Sequence, residues 1–444
     1  GLLFGYDWVV IGGAKPFYEP YFGISDETPF LRGWAQSSAL VGCLAGALLS
    51  GIISDKSGRK RLLIFSGLLF TVSAVGTAFA VSFLLFSIFR IIGGIGIGLA
   101  SNLSPMYIAE ISPAHTRGKL VAINQLTIVI GILAAQIVNW LIAQPVPEGA
   151  GVEYILSSWN GQDGWRWMFG VETVPAFLFF LLMFFVPESP RWLIRYGRDD
   201  QARRILSRVG GAKYADFEIS DIKNTLASEK IARVNFRDLA EPKLSRIVML
   251  GVFLAVLQQW CGINVIFNYA QEVFAAAGYG VSSIMFNIII TGVVNLVFTF
   301  VAIYTVDRFG RRILMLIGAA GLAGIYAILG AGYYFQSTGI HMLILVVSAI
   351  GCYAMSLAPI TWVVISEIFP NRIRGAAMSV AVFSLWAGCT TLTLTFPYLK
   401  GSLGAHGVFW LYGVICVIGF FVILMKLPET KGKSLEDIER DLVD

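Results

Sequence analysis

Asp307-Arg-Phe-Gly-Arg-Arg312 repeats, in slightly altered form, Asp55-Lys-Ser-Gly-Arg-Lys-Arg61, and both copies sit between long apolar stretches. Two more pairs accompany them. Glu110…Arg117-Gly118 returns as Glu367…Arg374-Gly375, and Pro187-Glu-Ser-Pro-Arg191 is echoed by Pro428-Glu-Thr-Lys-Gly432. The three pairs keep the same order, at separations of 252, 257 and 241 residues. One match could arise by chance, but three in register indicate a duplicated chain.

The apolar stretches between the repeats fix the class. Of 444 residues, 56% are hydrophobic and only 14% charged, against about 25% charged in a soluble domain. Residues 313–366 contain no Asp, Glu, Lys or Arg, and one bilayer span needs about 20 apolar residues. Twelve spans are expected, at 1–13, 33–54, 62–80, 83–108, 119–143, 165–186, 247–271, 284–306, 312–335, 342–366, 375–398 and 403–425. The first is too short to cross alone and reads as the end of a longer helix; no cleavable signal is visible. The expectation is an all-α membrane protein with two pseudo-symmetric six-helix halves, 1–186 and 247–426. A cytoplasmic helical linker (187–246) joins them, and a cytoplasmic tail (427–444) follows. In the linker, Asp199-Asp-Gln-Ala-Arg-Arg-Ile-Leu-Ser-Arg208 spaces apolar residues helically, as in an amphipathic helix lying on the membrane face.

Lys and Arg crowd the connections after spans 2, 4, 6, 8 and 10. Those after spans 1, 5 and 11 hold only Lys15, Arg32, Arg166 and Lys400. Both termini are therefore expected in the cytoplasm. This topology accounts for the net charge of +5 without a nucleic-acid partner. The five cysteines fall inside spans and read as small apolar packing. The three histidines have no neighbouring ligands, so neither a metal nor another cofactor is expected. Gly93-Gly-Ile-Gly-Ile-Gly98 lies inside a span without a preceding strand, which makes Gly94 and Gly98 a helix contact rather than a phosphate loop. No nucleophile–base pair or nucleotide loop points to an enzyme.

Charges within spans mark function by default. Asp7, Arg90 and Glu172 each lie six or seven residues from the outer end expected for their span, hence at one level, roughly 9–11 Å deep at about 1.5 Å per residue. They read either as a static neutralising cluster or as a proton site. Burial favours the neutral acid and a neighbouring guanidinium favours the carboxylate, so Asp7 can exchange a proton, with Arg90 as fixed partner. Mid-span amides, Gln125, Gln258, Gln259, Asn264 and Asn295, either bridge helices or face a ligand rich in hydroxyls. With Trp362 and Trp386, whose rings can stack on a pyranose, they suggest an uncharged polyol. Acidic residues at repeated positions opposite arginines suggest a cytoplasmic gate. It comprises Asp55, Arg59, Glu110, Arg117, Glu188, Arg191, Asp307, Arg311, Glu367 and Arg374, in ion pairs expected to tie the halves together when the inner side closes.

Taken together, residues 55–61, 110–118, 187–191, 258–264, 307–312, 367–375 and 428–432 resemble the sugar porter family of the major facilitator superfamily. The likeness is strongest to its bacterial D-xylose:proton symporters, with the facilitative glucose transporters further away. Gln258-Gln-Trp-Cys-Gly-Ile-Asn264 is especially typical. The resemblance implies alternating-access import of a monosaccharide with protons, by a monomer in the lipid bilayer of a bacterial inner membrane. It adds Phe4 to the sugar contacts above and makes Asp7 and Arg90, with Glu172, the proton-coupling group. Ile132, Asn268 and Leu385 depart from the symporter pattern, leaving pentose and hexose both open. A facilitative uniporter of the same fold and a non-transporting sugar sensor are the alternatives.

Overall fold

A computed structural model describes residues 1–147, 149–231, 239, 241–370 and 373–431. Outside its description are the side chains at 51, 52, 114, 115, 117, 118, 225–231, 307, 374 and 375. The expected gate residues Arg117, Asp307 and Arg374 fall among these, and residues 432–444 of the tail lie beyond the described chain.

The described residues form helices and no strand. α1 (Leu2–Tyr21), α2 (Pro29–Ser57), α3 (Arg59–Ala78), α4 (Phe83–Ile111) and α5 (Ala114–Ile142) are the first five crossings. After the short α6 (Val152–Ser157), the sixth runs from a π-turn at Asn160–Gly164 through α7 (Trp165–Gly170) and α8 (Thr173–Leu182). Then come α9 (Pro190–Arg195), α10 (Asp199–Gly210) and α11 (Ala212–Ile231). The seventh crossing is broken into α12 (Pro242–Trp260), α13 (Ile263–Asn268) and α14 (Ala270–Ala276). α15 (Val281–Phe309), α16 (Arg311–Tyr334), and α17 (Ile340–Ala354) with α18 (Leu357–Ile368) make the next three. α19 (Arg374–Lys426) makes the last two, divided at Gly404, where φ is 69°. Nine described stretches, α19 counted once, are long and apolar enough to span a membrane.

The sequence repeat has a physical basis. Gly58 and Gly310 end α2 and α15 with φ of 88° and 89°, a left-handed turn that favours glycine. Glu188 then accepts the backbone N–H groups of Arg59 and Lys60 at 3.0 and 3.1 Å. Glu429 does the same for Arg311 and Arg312 at 2.9 and 3.1 Å. Each carboxylate thus covers the free N–H groups at a helix start, where the helix dipole also favours it. Arg59 holds Glu110 through two bonds of 3.0 Å, and Arg311 reaches Glu367 at 3.5 Å. Lys60 and Arg312 donate to the carbonyls of Phe184 and Leu424.

The described ion pairs at this face stay within each half. Arg59 with Glu110 and Asp55, Arg195 with Asp55, and Arg311 with Glu367 each lie within one half or its attached linker. Arg59 and Arg311 each begin a helix and reach an acid near the end of a neighbouring helix in the same bundle, whereas Arg195 ends α9. Ties between the halves are expected of the state with the inner side closed. The first span is corrected. α1 does not end near residue 13 but continues to Tyr21, and Lys15, read as a loop charge, is buried on it together with Glu19. Their charges are balanced locally: Lys15 pairs with Glu19 one turn on at 3.5 Å and with Glu272 of α14.

Gly94 and Gly98 settle the glycine run as packing. A Cβ on either would strike the backbone of α2, at Ala39 and Cys43 respectively. The two helices approach this closely only because those side chains are missing.

Candidate substrate and proton site

Helix breaks surround the centre of the bundle. Gly262, with φ of 87°, interrupts the seventh crossing immediately after Gln258 and Gln259. The tenth breaks at Ser356, between α17 and α18. Discontinuous helices of this kind free backbone groups that can line a binding site. Here the tenth crossing brings two carbonyls to Gln258, whose Nε2 donates to Ala358 at 2.8 Å and to Leu357 at 3.4 Å. Gln259 Nε2 donates to Gln258 Oε1 at 3.4 Å, and Asn264 Nδ2 donates to Gln259 Oε1. The three amides form one hydrogen-bonded chain with both donor and acceptor capacity.

An aromatic cluster joins the two halves here, Trp386 on α19 meeting Phe4 and Trp8 on α1. Trp386, 3% exposed, lies 6.0 Å from Phe4 and 5.8 Å from Trp8 between ring centroids. Asn295 is buried on α15, where its carbonyl accepts from Thr299 Oγ1 at 2.7 Å. Gln125 on α5 and Trp362 on α18 are exposed. Trp362 lies one turn beyond Ala358, whose carbonyl accepts from Gln258. Leu385 is buried beside Trp386, and Ile132 packs against the main core.

Beside this centre, Asp7, Arg90 and Glu172 are 2%, 2% and 3% exposed. Asp7 Oδ1 pairs with Arg90 Nη1, and Arg90 Nη2 donates to the Asp7 carbonyl at 3.3 Å. The guanidinium carbon lies 5.6 Å over the Phe169 ring, a further attraction for the cation. Glu172, at the interruption between α7 and α8, lies within electrostatic reach of both. Asp7 Oδ2, Arg90 Nε and Glu172 Oε1 have no hydrogen-bond partner among the described residues. Two acids thus share one cation in a sealed site, an arrangement able to hold a proton.

The described contacts between the halves lie away from the arginine-rich face. Gln136 on α5 reaches Thr291 on α15 at 3.5 Å, the Val146 N–H donates to Ser282 Oγ at 3.0 Å, and Trp140 packs on Phe286 at 6.3 Å. Lys15 with Glu272 closes the same end. Several of these groups escaped the sequence reading. Gln36, Gln136, Asn139 and Asn287 are amides inside apolar runs, the very signal that singled out the others. Nothing local announces Lys15 as buried, since Glu272 lies 257 positions away.

The sequence model described as "Sugar (and other) transporter" matches residues 1–442. The chain belongs to this sugar transporter family. It is therefore a multi-pass membrane transporter and not an enzyme. Among similar members, the D-xylose-proton symporter of Escherichia coli K12 is 40% identical over 99% of this chain and 93% of its own. The arabinose-proton symporter of Bacillus subtilis is 37% identical, covering 99% and 92%. The inward-open structure of the E. coli xylose transporter XylE superposes with a TM-score of 0.86, at 38% identity, over 99% of this chain and 97% of that one. XylE bound to 6-bromo-6-deoxy-D-glucose gives 0.81 at 39% identity, covering 99% and 96%. Membership carries the twelve-helix, two-half fold of these transporters to this chain.

Proposed function

We infer that this protein imports a monosaccharide together with protons across a bacterial inner membrane, working as a monomer with both termini in the cytoplasm. The observation that carries the reading is Asp7, sealed from solvent, ion-paired to Arg90 and bordering an amide- and tryptophan-lined centre. The similarity to proton symporters for xylose and arabinose supports a pentose or closely related hexose. Residues 1–186 and 247–426 are the moving halves, joined by 187–246 and followed by the tail 427–444. In the cycle, protonation of Asp7 from outside loosens Arg90. Sugar then binds to Gln125, Gln258, Gln259, Asn264 and Asn295, stacking against Phe4, Trp362 and Trp386. Closure of the outer ends follows, and release is inward. Glu172 steadies Arg90 while Asp7 is neutral. The clusters around Glu110, Glu188 and Arg191, and around Glu367, brace the inner ends of their own halves as rigid bodies.

The test is xylose and glucose uptake into proteoliposomes under an imposed proton gradient. Accumulation that collapses with a protonophore, and Asp7→Asn that exchanges sugar without accumulating it, are the expected results. Uptake that only equilibrates, whatever the gradient, would make the protein a uniporter and Asp7–Arg90 a structural pair.

A further inference from the structure

A small cavity of about 10 Å³ lies against the Asp7–Arg90 pair. Its wall includes Asp7, Trp8, Gln36, Cys43, Arg90 and Asn268. That volume suits the centre of one water molecule and nothing larger. Three of the lining side chains keep a buried polar atom without a partner among the described residues: Asp7 Oδ2, Gln36 Oε1 and Arg90 Nε. Two accept and one donates. A single water has two protons to give and lone pairs to receive, so the set matches it atom for atom.

Gln36 is built to serve there. It is 2% exposed, and its Nε2 donates to Tyr18 Oη at 2.9 Å, which turns Oε1 to the remaining side of the amide. Tyr18 is buried as well, its ring stacked on Phe86 at 5.2 Å, so the amide is held by a fixed group. An apolar residue at position 36 would pack equally well in an apolar run, and the amide is costly unless its polar atoms are used.

We propose that this cavity is a binding site for one water, that Gln36 positions the water on Asp7, and that the site couples the proton step to closure of the outer side. The coupling follows from who builds the wall. Asp7, Gln36 and Arg90 come from α1, α2 and α4, whereas Asn268 ends α13 in the other half. The chamber is complete only while the halves meet at their outer ends. Opening there removes the Asn268 wall and gives the water, and with it Asp7, access to bulk solvent. The other titratable groups facing Asp7 are Arg90 on α4, Glu172 between α7 and α8, Tyr6 on α1 and Cys43 on α2. None of them replaces a neutral relay from Gln36. The proposal rests on the proton-coupling reading above.

The test compares full-length wild type and Gln36→Leu in liposomes by sugar counterflow, by gradient-driven uptake across pH, and by sugar-induced infrared difference spectra in ordinary and heavy-oxygen water. The wild type is expected to show an isotope-sensitive water O–H band that Gln36→Leu loses. Without the water's hydrogen bond to the carboxylate, the pH midpoint of coupled uptake should move upward by about half a unit or more. Counterflow should stay within about twofold, because the sugar contacts are intact. Gln36→Met, close in shape and also unable to hold a water, carries the same test if leucine prevents folding, and Gln36→Asn should recover part of the effect. An unchanged band and midpoint in a wild type that does couple protons would overturn the water site alone. A wild type with no gradient-driven uptake would instead overturn the coupling on which it rests.

Discussion

Lys15 on α1 and Glu272 on α14 form an ion pair across the two halves, with the lysine fully buried and its ammonium 4.1 Å from the Tyr269 ring centroid. Glu19 and Arg32 extend the network, Arg32 lying 3.3 Å from Glu19. Removing one member of a buried pair strands the other, at a cost of about 3–5 kcal/mol. Here Glu272 would lose its lysine and face Glu19, which keeps Arg32, across the closed end.

Lys15→Met should therefore favour the state with this end open. Spin labels at the exposed Glu27 and Ser402 should report a longer distance population than in the parent. The exchange Lys15→Glu with Glu272→Lys should restore the original distribution. Unaltered distances in Lys15→Met would show that the pair does not hold this end shut.

Asp26 offers a test of the network's outer rim. Burial alone would raise its carboxyl, but the charge and hydrogen bond of Arg32 outweigh this and hold it below the usual aspartate range. With its acidity increased in the folded state, the pair's contribution is present above the unfolded value and disappears as pH falls through the lower folded one. The carboxylate is largely solvated, so Asp26→Asn should change stability by about 1 kcal/mol or less at neutral pH. Melting curves of both forms, run from neutral pH into the acid range, should draw together as pH falls.

The two glutamates that cover helix starts should act independently. Glu188→Ala and Glu429→Ala each leave backbone N–H groups without their carboxylate, worth about 1–3 kcal/mol. Because the clusters lie in different halves, the losses should add to within about 0.5 kcal/mol in the double variant. Detergent melts would reveal strong non-additivity if the clusters instead tied the halves together.

Gln258→Ala should weaken sugar binding by about tenfold or more, since a site built to bond hydroxyls loses disproportionately when one partner is removed. Equilibrium titration with xylose and glucose would measure it. Unchanged affinity for both would restrict Gln258 to bridging α12 and α18.

The sequence by itself determined the class, the twelve crossings and the duplicated halves. Hydropathy over twenty residues and repeated charged phrases are local properties, readable wherever the chain goes. It also singled out Asp7, Arg90 and Glu172, because a charge in an apolar run is conspicuous, although α1 ran on to Tyr21, past the end expected for the first span. Tertiary structure alone decided who meets whom. Arg59 and Arg311 turned to acids of their own halves, since helix starts and helix ends share a face there. Lys15 looked like a loop charge until Glu272 of the other half sealed it in. Gln36 was one amide among many until a cavity, Tyr18 and Asp7 gave it neighbours. Partners more than a hundred positions apart leave no trace in local spacing; only packing two helical bundles against each other brings their side chains within hydrogen-bonding distance.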